Sequence, residues 1–264
     1  MIINKDSNPD DYKEEIMRKN NLTKRQWKEV ADLGKLLVKC IERIIDMLEQ
    51  TQKLKSVFNE TQIHKINNII KQIEKEGEEY KTINLWKFDQ TIGGIGGYCL
   101  GCDPANSNPF QGSIYRNAYR CLQYVRADID ILDVNYTARD IIENCGHHFE
   151  ESIKIYLKKN KKISWIKVSK YPLGKLLNYI VDKNIFEEKI TKELRLFVDL
   201  YNISKHEILS NEELDRTFHA DDAIICYFAC RIVGKKILLK IDKETEMGIY
   251  EIDWNNYGTK VNRF

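Results

Sequence analysis

Two polar side chains one helical turn apart carry the sharpest chemistry in the chain. In Tyr201-Asn202-Ile203-Ser204-Lys205-His206-Glu207, Asn202 and His206 stand four positions apart, which on a helix puts them on one face. An amide donates and accepts hydrogen bonds, and a neutral imidazole does each at one of its two nitrogens. An imidazole titrating near pH ~6.5 can move protons at cellular pH. Beside a cation such a pair can cleave RNA without a metal. The imidazole takes the 2′-hydroxyl proton, and the cation stabilises the charge that builds on phosphorus. Lys205 is the adjacent cation. The plainer reading is a buried polar contact that fixes this helix against its neighbours.

A second constellation is basic and aromatic. Lys154, Lys158, Lys159, Lys161, Lys162, Lys167, Lys170 and Lys175 crowd one stretch, with Tyr156, Trp165, Tyr171 and Tyr179 interleaved. No acidic residue occurs between Ser152 and Val181. Lysines neutralise phosphates and aromatic rings stack on unpaired bases, so Lys158, Lys159, Lys161, Lys162, Trp165 and Lys167 are the candidate RNA contacts. Against this, Glu187, Glu188 and Glu193 follow closely and can balance the charge of a solvated segment.

Three further motifs lack their context. Gly94-Ile95-Gly96-Gly97 has neither a preceding strand nor a Gly-Lys-Ser/Thr ending, which a phosphate cradle requires. Cys99-Leu100-Gly101-Cys102 has the spacing for two thiolates on zinc, but a structural site takes four ligands, and no second pair exists. His147 and His148 are neighbours, so on a helix they point about 100° apart. One is expected to pack beside Cys145 and Phe149, and the other to face solvent. No metal or cofactor site is expected.

Positioning these residues falls to helices. Thr23 and Gln26 form a capping box, followed by Trp27, Val30, Leu37, Val38, Ile41, Ile44, Ile45 and Leu48 at spacings of three and four. Asn59 and Gln62 repeat the cap before Ile63, Ile66, Ile69, Ile70 and Ile73. The two helices are read as an N-terminal hairpin region, 1–90. Six glycines between 93 and 112, with Pro104 and Pro109, predict a connecting loop over 91–112. Residues 113–241 read as a helical bundle. Its helices carry Ala118, Leu122, Val125 and Ile129; then Ile141, Cys145 and Phe149 behind a capping box at Thr137; then a short helix opened by Pro172; then Leu194, Phe197 and Tyr201; and last Ala223, Ile224, Tyr227 and Cys230. In the 242–264 tail, short runs around Lys243-Glu244-Thr245 predict a small β-hairpin. The fold class is all-α.

The 264 residues hold 42 Lys+Arg and 40 Asp+Glu, and 42 − 40 leaves +2. A near-neutral chain is not a strongly basic nucleic-acid coat protein. No apolar run approaches the ~18 residues of a membrane span, and no apolar segment follows a basic start, so neither a membrane partner nor a signal peptide is expected. Seven cysteines, with Cys40, Cys121 and Cys226 inside apolar helical patterns, fit a reduced, cytoplasmic protein better than a disulfide framework.

Residues 113–240 resemble the HEPN superfamily of helical bundles. The resemblance rests on Asn144-Cys145-Gly146-His147-His148-Phe149-Glu150, on the Tyr201–Glu207 segment, and on the helix from Asp222 to Gly234. Many members are metal-independent RNases of toxin–antitoxin, phage-defence and CRISPR systems; others only bind or dimerise. The family motif is an Arg, commonly a polar residue after it, then a His four to six residues on. Asn202 and His206 match it, while Tyr201 stands where the Arg belongs. The resemblance therefore implies a homodimer, and a catalytically degenerate module that binds RNA or a protein partner in bacterial stress or phage defence. Its rivals are an active endoribonuclease using His206, Asn202 and Lys205, and a helical scaffold or antitoxin-like protein.

Overall fold

The segment Ala220–Ile241 is apolar on every side of a helix except at a few marked positions, and such a helix must be surrounded. A computed structural model of the protein describes residues 13–76, 83–93, 116–131, 133–205 and 218–241. The described residues are helical and contain no strand: the protein is all-α. In chain order the helices are α1 (Lys13–Lys19), α2 (Lys24–Leu54), α3 (Glu60–Glu76), α4 (Ile83–Gly93), α5 (Arg116–Ile131), α6 (Val134–Asn160), α7 (Trp165–Val168), α8 (Leu173–Asp182), α9 (Glu188–Lys205) and α10 (Ala220–Ile241). None is long and apolar enough to cross a membrane.

The chain divides into two compact units, Met1–Met47 and Leu48–Phe264, with the division inside α2. The first holds α1 and most of α2, which opens with the expected box: the Gln26 N–H donates to the Thr23 hydroxyl at 3.3 Å and the Thr23 N–H to Gln26 Oε1 at 2.9 Å.

In the second unit α10 is the axis. It packs on α6, α4, α9 and α3, while α5 lies along α6, and α8 fills the angle of α6 and α9. Edge-on aromatic pairs fill the core: Phe149–Phe197 at 4.7 Å, Phe88–Phe228 at 5.0 Å and Trp86–Tyr227 at 6.2 Å. The Asn59–Gln62 box opens α3, with reciprocal bonds of 2.9 and 3.0 Å. The start of α10 is fixed from two sides. The Ala220 N–H donates to Asn135 Oδ1 and the His219 N–H to Asp222 Oδ2, while the Thr51 hydroxyl donates to Asp222 Oδ1 at 2.7 Å.

Four local expectations are corrected. α6 starts at Val134, not at Thr137. Asp133 is its cap and accepts from the Asn135 N–H at 2.9 Å, so Thr137 lies a turn inside and is buried. Thr91, Ile92 and Gly93 continue α4 rather than beginning the loop, with the Thr91 hydroxyl bonded to the Phe88 carbonyl at 2.7 Å. Pro172 precedes α8 instead of opening it. α4 itself, short and without a cap signature, has no counterpart among the helices read from the sequence. The Gly-rich segment from 94 to 112, with Cys99 and Cys102, and the tail with its expected hairpin lie outside the described residues.

Candidate functional site

The basic stretch begins where α6 runs out of the core. Its buried face ends at Leu157, and Lys158, Lys159, Lys161 and Lys162 follow, all exposed. The chain then turns, closed by the Ile163 N–H donating to the Leu157 carbonyl at 3.1 Å. Lys162 sits in the left-handed region, φ 53°, where glycine or asparagine is the relaxed choice. Within α7, Val168 is buried, whereas Trp165 and Ile166 face out at 39% and 75% exposure. The Lys158 ammonium lies 5.3 Å from the centroid of Trp165 and Lys175 4.3 Å from that of Tyr171. Lys167 and Lys170 are exposed beside them. The result is a basic corner with an aromatic plane at its centre.

Lys154 does not belong to this corner. It is 5% exposed, and its ammonium bonds Glu150 at 2.6 Å and Glu151 at 3.1 Å. Glu150 also accepts the Leu173 N–H at 3.0 Å and so caps α8 from α6. Of the three acids expected to balance the corner, Glu188 is exposed and the other two are engaged elsewhere. Glu193 takes Lys236 at 2.6 Å, and Glu187 takes Lys240 at 2.5 Å. Both lysines are on α10.

At the end of α9, Asn202 is exposed, and Lys205, also exposed, holds its ammonium 4.4 Å from the Tyr201 ring centroid. Tyr201 is 2% exposed and stacks on Phe197. Its ring lies against Gly146, where a Cβ would collide with it. His206 lies outside the described residues. His147 is exposed and His148 buried, as their spacing predicts. His148 Nδ1 is 2.8 Å from the Ala118 carbonyl. Burial lowers its pKa to about 4, against the pull of that carbonyl. Gly234 leaves room for the ring: a Cβ there would stand 2.5 Å from Nε2.

One charged contact has its partner hidden from the sequence. Arg231, 2% exposed, donates from Nε to Asp89 Oδ1 at 2.6 Å and from Nη2 to Oδ2 at 3.3 Å. This bidentate pair locks α4 to α10. Burial pushes the Asp89 carboxyl up while Arg231 pulls it down. The only local signal is a lone cation inside an apolar helix, which has to find a counter-ion. Burial also raises the thiols of Cys145, Cys226 and Cys230, and that of Cys121 to about 12, which keeps them protonated and unreactive. Among the described residues, no three His, Cys, Asp or Glu side chains converge on a metal position.

No protein-family profile, curated protein or solved structure is significantly similar to the chain. The chemistry of the site therefore stands on its own residues. A groove of about 330 Å³ between α3 and α4, lined by Lys65, Asn68, Gln72, Lys87, Phe88 and Thr91, offers amides and ammonium groups. The α6–α7 corner offers a denser array: several lysines around an exposed indole, suited to phosphates and one stacked base.

Proposed function

We propose that the chain is a HEPN-like helical module that binds unpaired RNA at the α6–α7 corner without cleaving it. The observation that carries this reading is the engagement of Glu187 and Glu193 by Lys240 and Lys236, which takes up two of the three acids that would balance the corner. The strained Lys162 supports it: a cation is kept where glycine would be more stable. Support for the HEPN likeness comes from packing. The described parts of the three segments that resemble the family, the second as far as Lys205, lie on α6, α9 and α10, which pack on one another, with close approaches at Gly146–Tyr201 and Gly234–His148. The absence of an Arg at position 201 supports binding over catalysis, since the residue there is a core tyrosine.

The test is titration of a labelled single-stranded oligo(U) RNA in EDTA at several salt concentrations. If Lys158, Lys161, Lys162 and Lys167 each neutralise a phosphate, log affinity falls with log salt at a slope of about −3. Lys161→Ala with Lys162→Ala then weakens binding by on the order of tenfold and flattens the slope by about 1.4. Lys162→Gly is the discriminating variant: it relaxes the backbone, so the melting temperature rises or holds while affinity drops. Binding that is flat in salt points to a protein partner and overturns the reading. RNA cleavage in EDTA that disappears in His206→Ala overturns it in favour of a nuclease.

A further inference from the structure

α3 and α4 both pack on α10 and touch each other little, which leaves the groove between them. Each wall is one helix face. Lys65, Asn68 and Gln72 come from α3, and Asn84, Lys87 and Thr91 from α4. Both rows run at intervals of three and then four residues, which keeps side chains on one side of a helix. The floor is Ile69 and Phe88, both packed almost wholly into the core. Phe88 is held edge-on against Phe228 at 5.0 Å, so the floor does not shift to admit a guest. The cavity, about 330 Å³, stands at the small end of the range for ligand sites, roughly 300–1,000 Å³.

The lining selects the chemistry of the guest. Ammonium groups and primary amides surround the apolar floor, and no carboxylate lines it. Asp89, next to Phe88 in the chain, is turned away to Arg231. The Lys65 ammonium lies 5.8 Å from the Phe88 ring centroid, and Lys87 stands beside Phe88 on α4, so both cations attend the same ring. Among the described residues neither lysine has an ion-pair partner. Two such cations match an anion of about −2, the charge of a phosphate monoester near pH 7. The amides match something further. Asn and Gln each present a donor and an acceptor side by side, the arrangement that reads the edge of a planar heterocycle such as a nucleobase. Asn68 is steadied by His64, with Nδ2 3.2 Å from Nε2. Gln72 stands two turns from Lys65 along α3, about 10 Å, which sets an amide end apart from the charged end. We infer that the α3–α4 groove is a binding site for a small phosphomonoester with a planar, hydrogen-bonding body, of which a nucleoside monophosphate is the type. The phosphate lies between Lys65 and Lys87, the ring lies over Ile69 and Phe88, and Gln72 and Asn84 meet its edge. The groove shares no residue with the α6–α7 corner, and the inference does not depend on RNA binding or on family membership.

The test is calorimetric titration of the full chain with AMP and with UMP, and with adenosine and inorganic phosphate as the separated halves. At least one nucleotide is expected to saturate a single site with a Kd on the order of 100 µM, as a ligand of this size in an open groove allows. Each half binds at least about tenfold more weakly than the linked molecule. Lys65→Ala with Lys87→Ala removes two exposed side chains and leaves the melting temperature unchanged, while nucleotide binding weakens at least about tenfold. Gln72→Ala weakens nucleotide binding and leaves that of inorganic phosphate as it was. Lys161→Ala with Lys162→Ala, the variant that weakens RNA at the other site, does not alter nucleotide affinity. The inference is overturned if neither nucleotide saturates at millimolar concentration, or if either half binds as tightly as the whole. Nucleotide affinity that follows Lys161 and Lys162 rather than Lys65 and Lys87 overturns it too, since the ligand would then sit at the corner.

Discussion

Arg231 and Asp89 show how little a buried charge says until its partner is known. The two residues are 142 positions apart and share two hydrogen bonds in the core. A guanidinium stays charged at any pH a protein survives, so removing either partner strands the other. Arg231→Met or Asp89→Leu is expected to cost about 3–5 kcal/mol, whereas the two combined are expected to recover most of that. Urea unfolding of the three variants as a double-mutant cycle measures the difference. His148 makes a different demand. Folded, it takes a proton only near pH 4; unfolded, near pH ~6.5. Between those values the unfolded chain binds more protons, so its contribution to stability is complete above pH ~6.5 and is lost as pH falls toward 4. The gap corresponds to about 3 kcal/mol. His148→Gln should therefore be less stable than wild type at pH 7, and the difference should narrow by about that amount at pH 4, as read by urea titrations across the range.

At the scale of elements, helix contacts decide what a residue type means. Gly146 and Gly174 both sit inside helices, where glycine costs roughly 0.5–1 kcal/mol relative to alanine. Their alanine variants are expected to move in opposite directions. At Gly174 the new methyl meets nothing within 4 Å, and Gly174→Ala should raise the melting temperature. At Gly146 it meets the Tyr201 ring, which Phe197 holds in place. Gly146→Ala should lose about 1–3 kcal/mol by overpacking. Differential scanning calorimetry of the two variants checks both signs. Similar logic explains where the chain was legible. The apolar faces of α2, α3, α5, α6, α8 and α9 follow from a 3.6-residue period that any packing partner must respect, and α10 from a nearly unbroken apolar run. The start of α6 was not, because Asp133 and Thr137 are both good caps and only burial of Thr137 chooses between them. Lys154 was misjudged by counting charge along a stretch, although Glu150 stands one turn before it.

Across the whole molecule, a net charge of +2 hides an uneven distribution, with acids drawn to α10's lysines and the α6–α7 corner left basic. Local sequence revealed the lysines and the indole of that corner, but not the distant bonds that divert Glu187 and Glu193. The Asn202–His206 pairing was legible as spacing alone. Its geometry ends at Lys205, because His206 lies outside the described residues. What positions the known part is α10, the last of the described helices, on which α3, α4, α6 and α9 all pack. That arrangement sets an order of events at the ribosome. At roughly 5–20 residues per second, about 8–33 s separate synthesis of α3 from that of α10, and for that interval α3 and α4 lack the helix they close on. The nascent chain thus carries bare apolar ridges for much of its birth, and should need a chaperone's shelter until translation is well advanced.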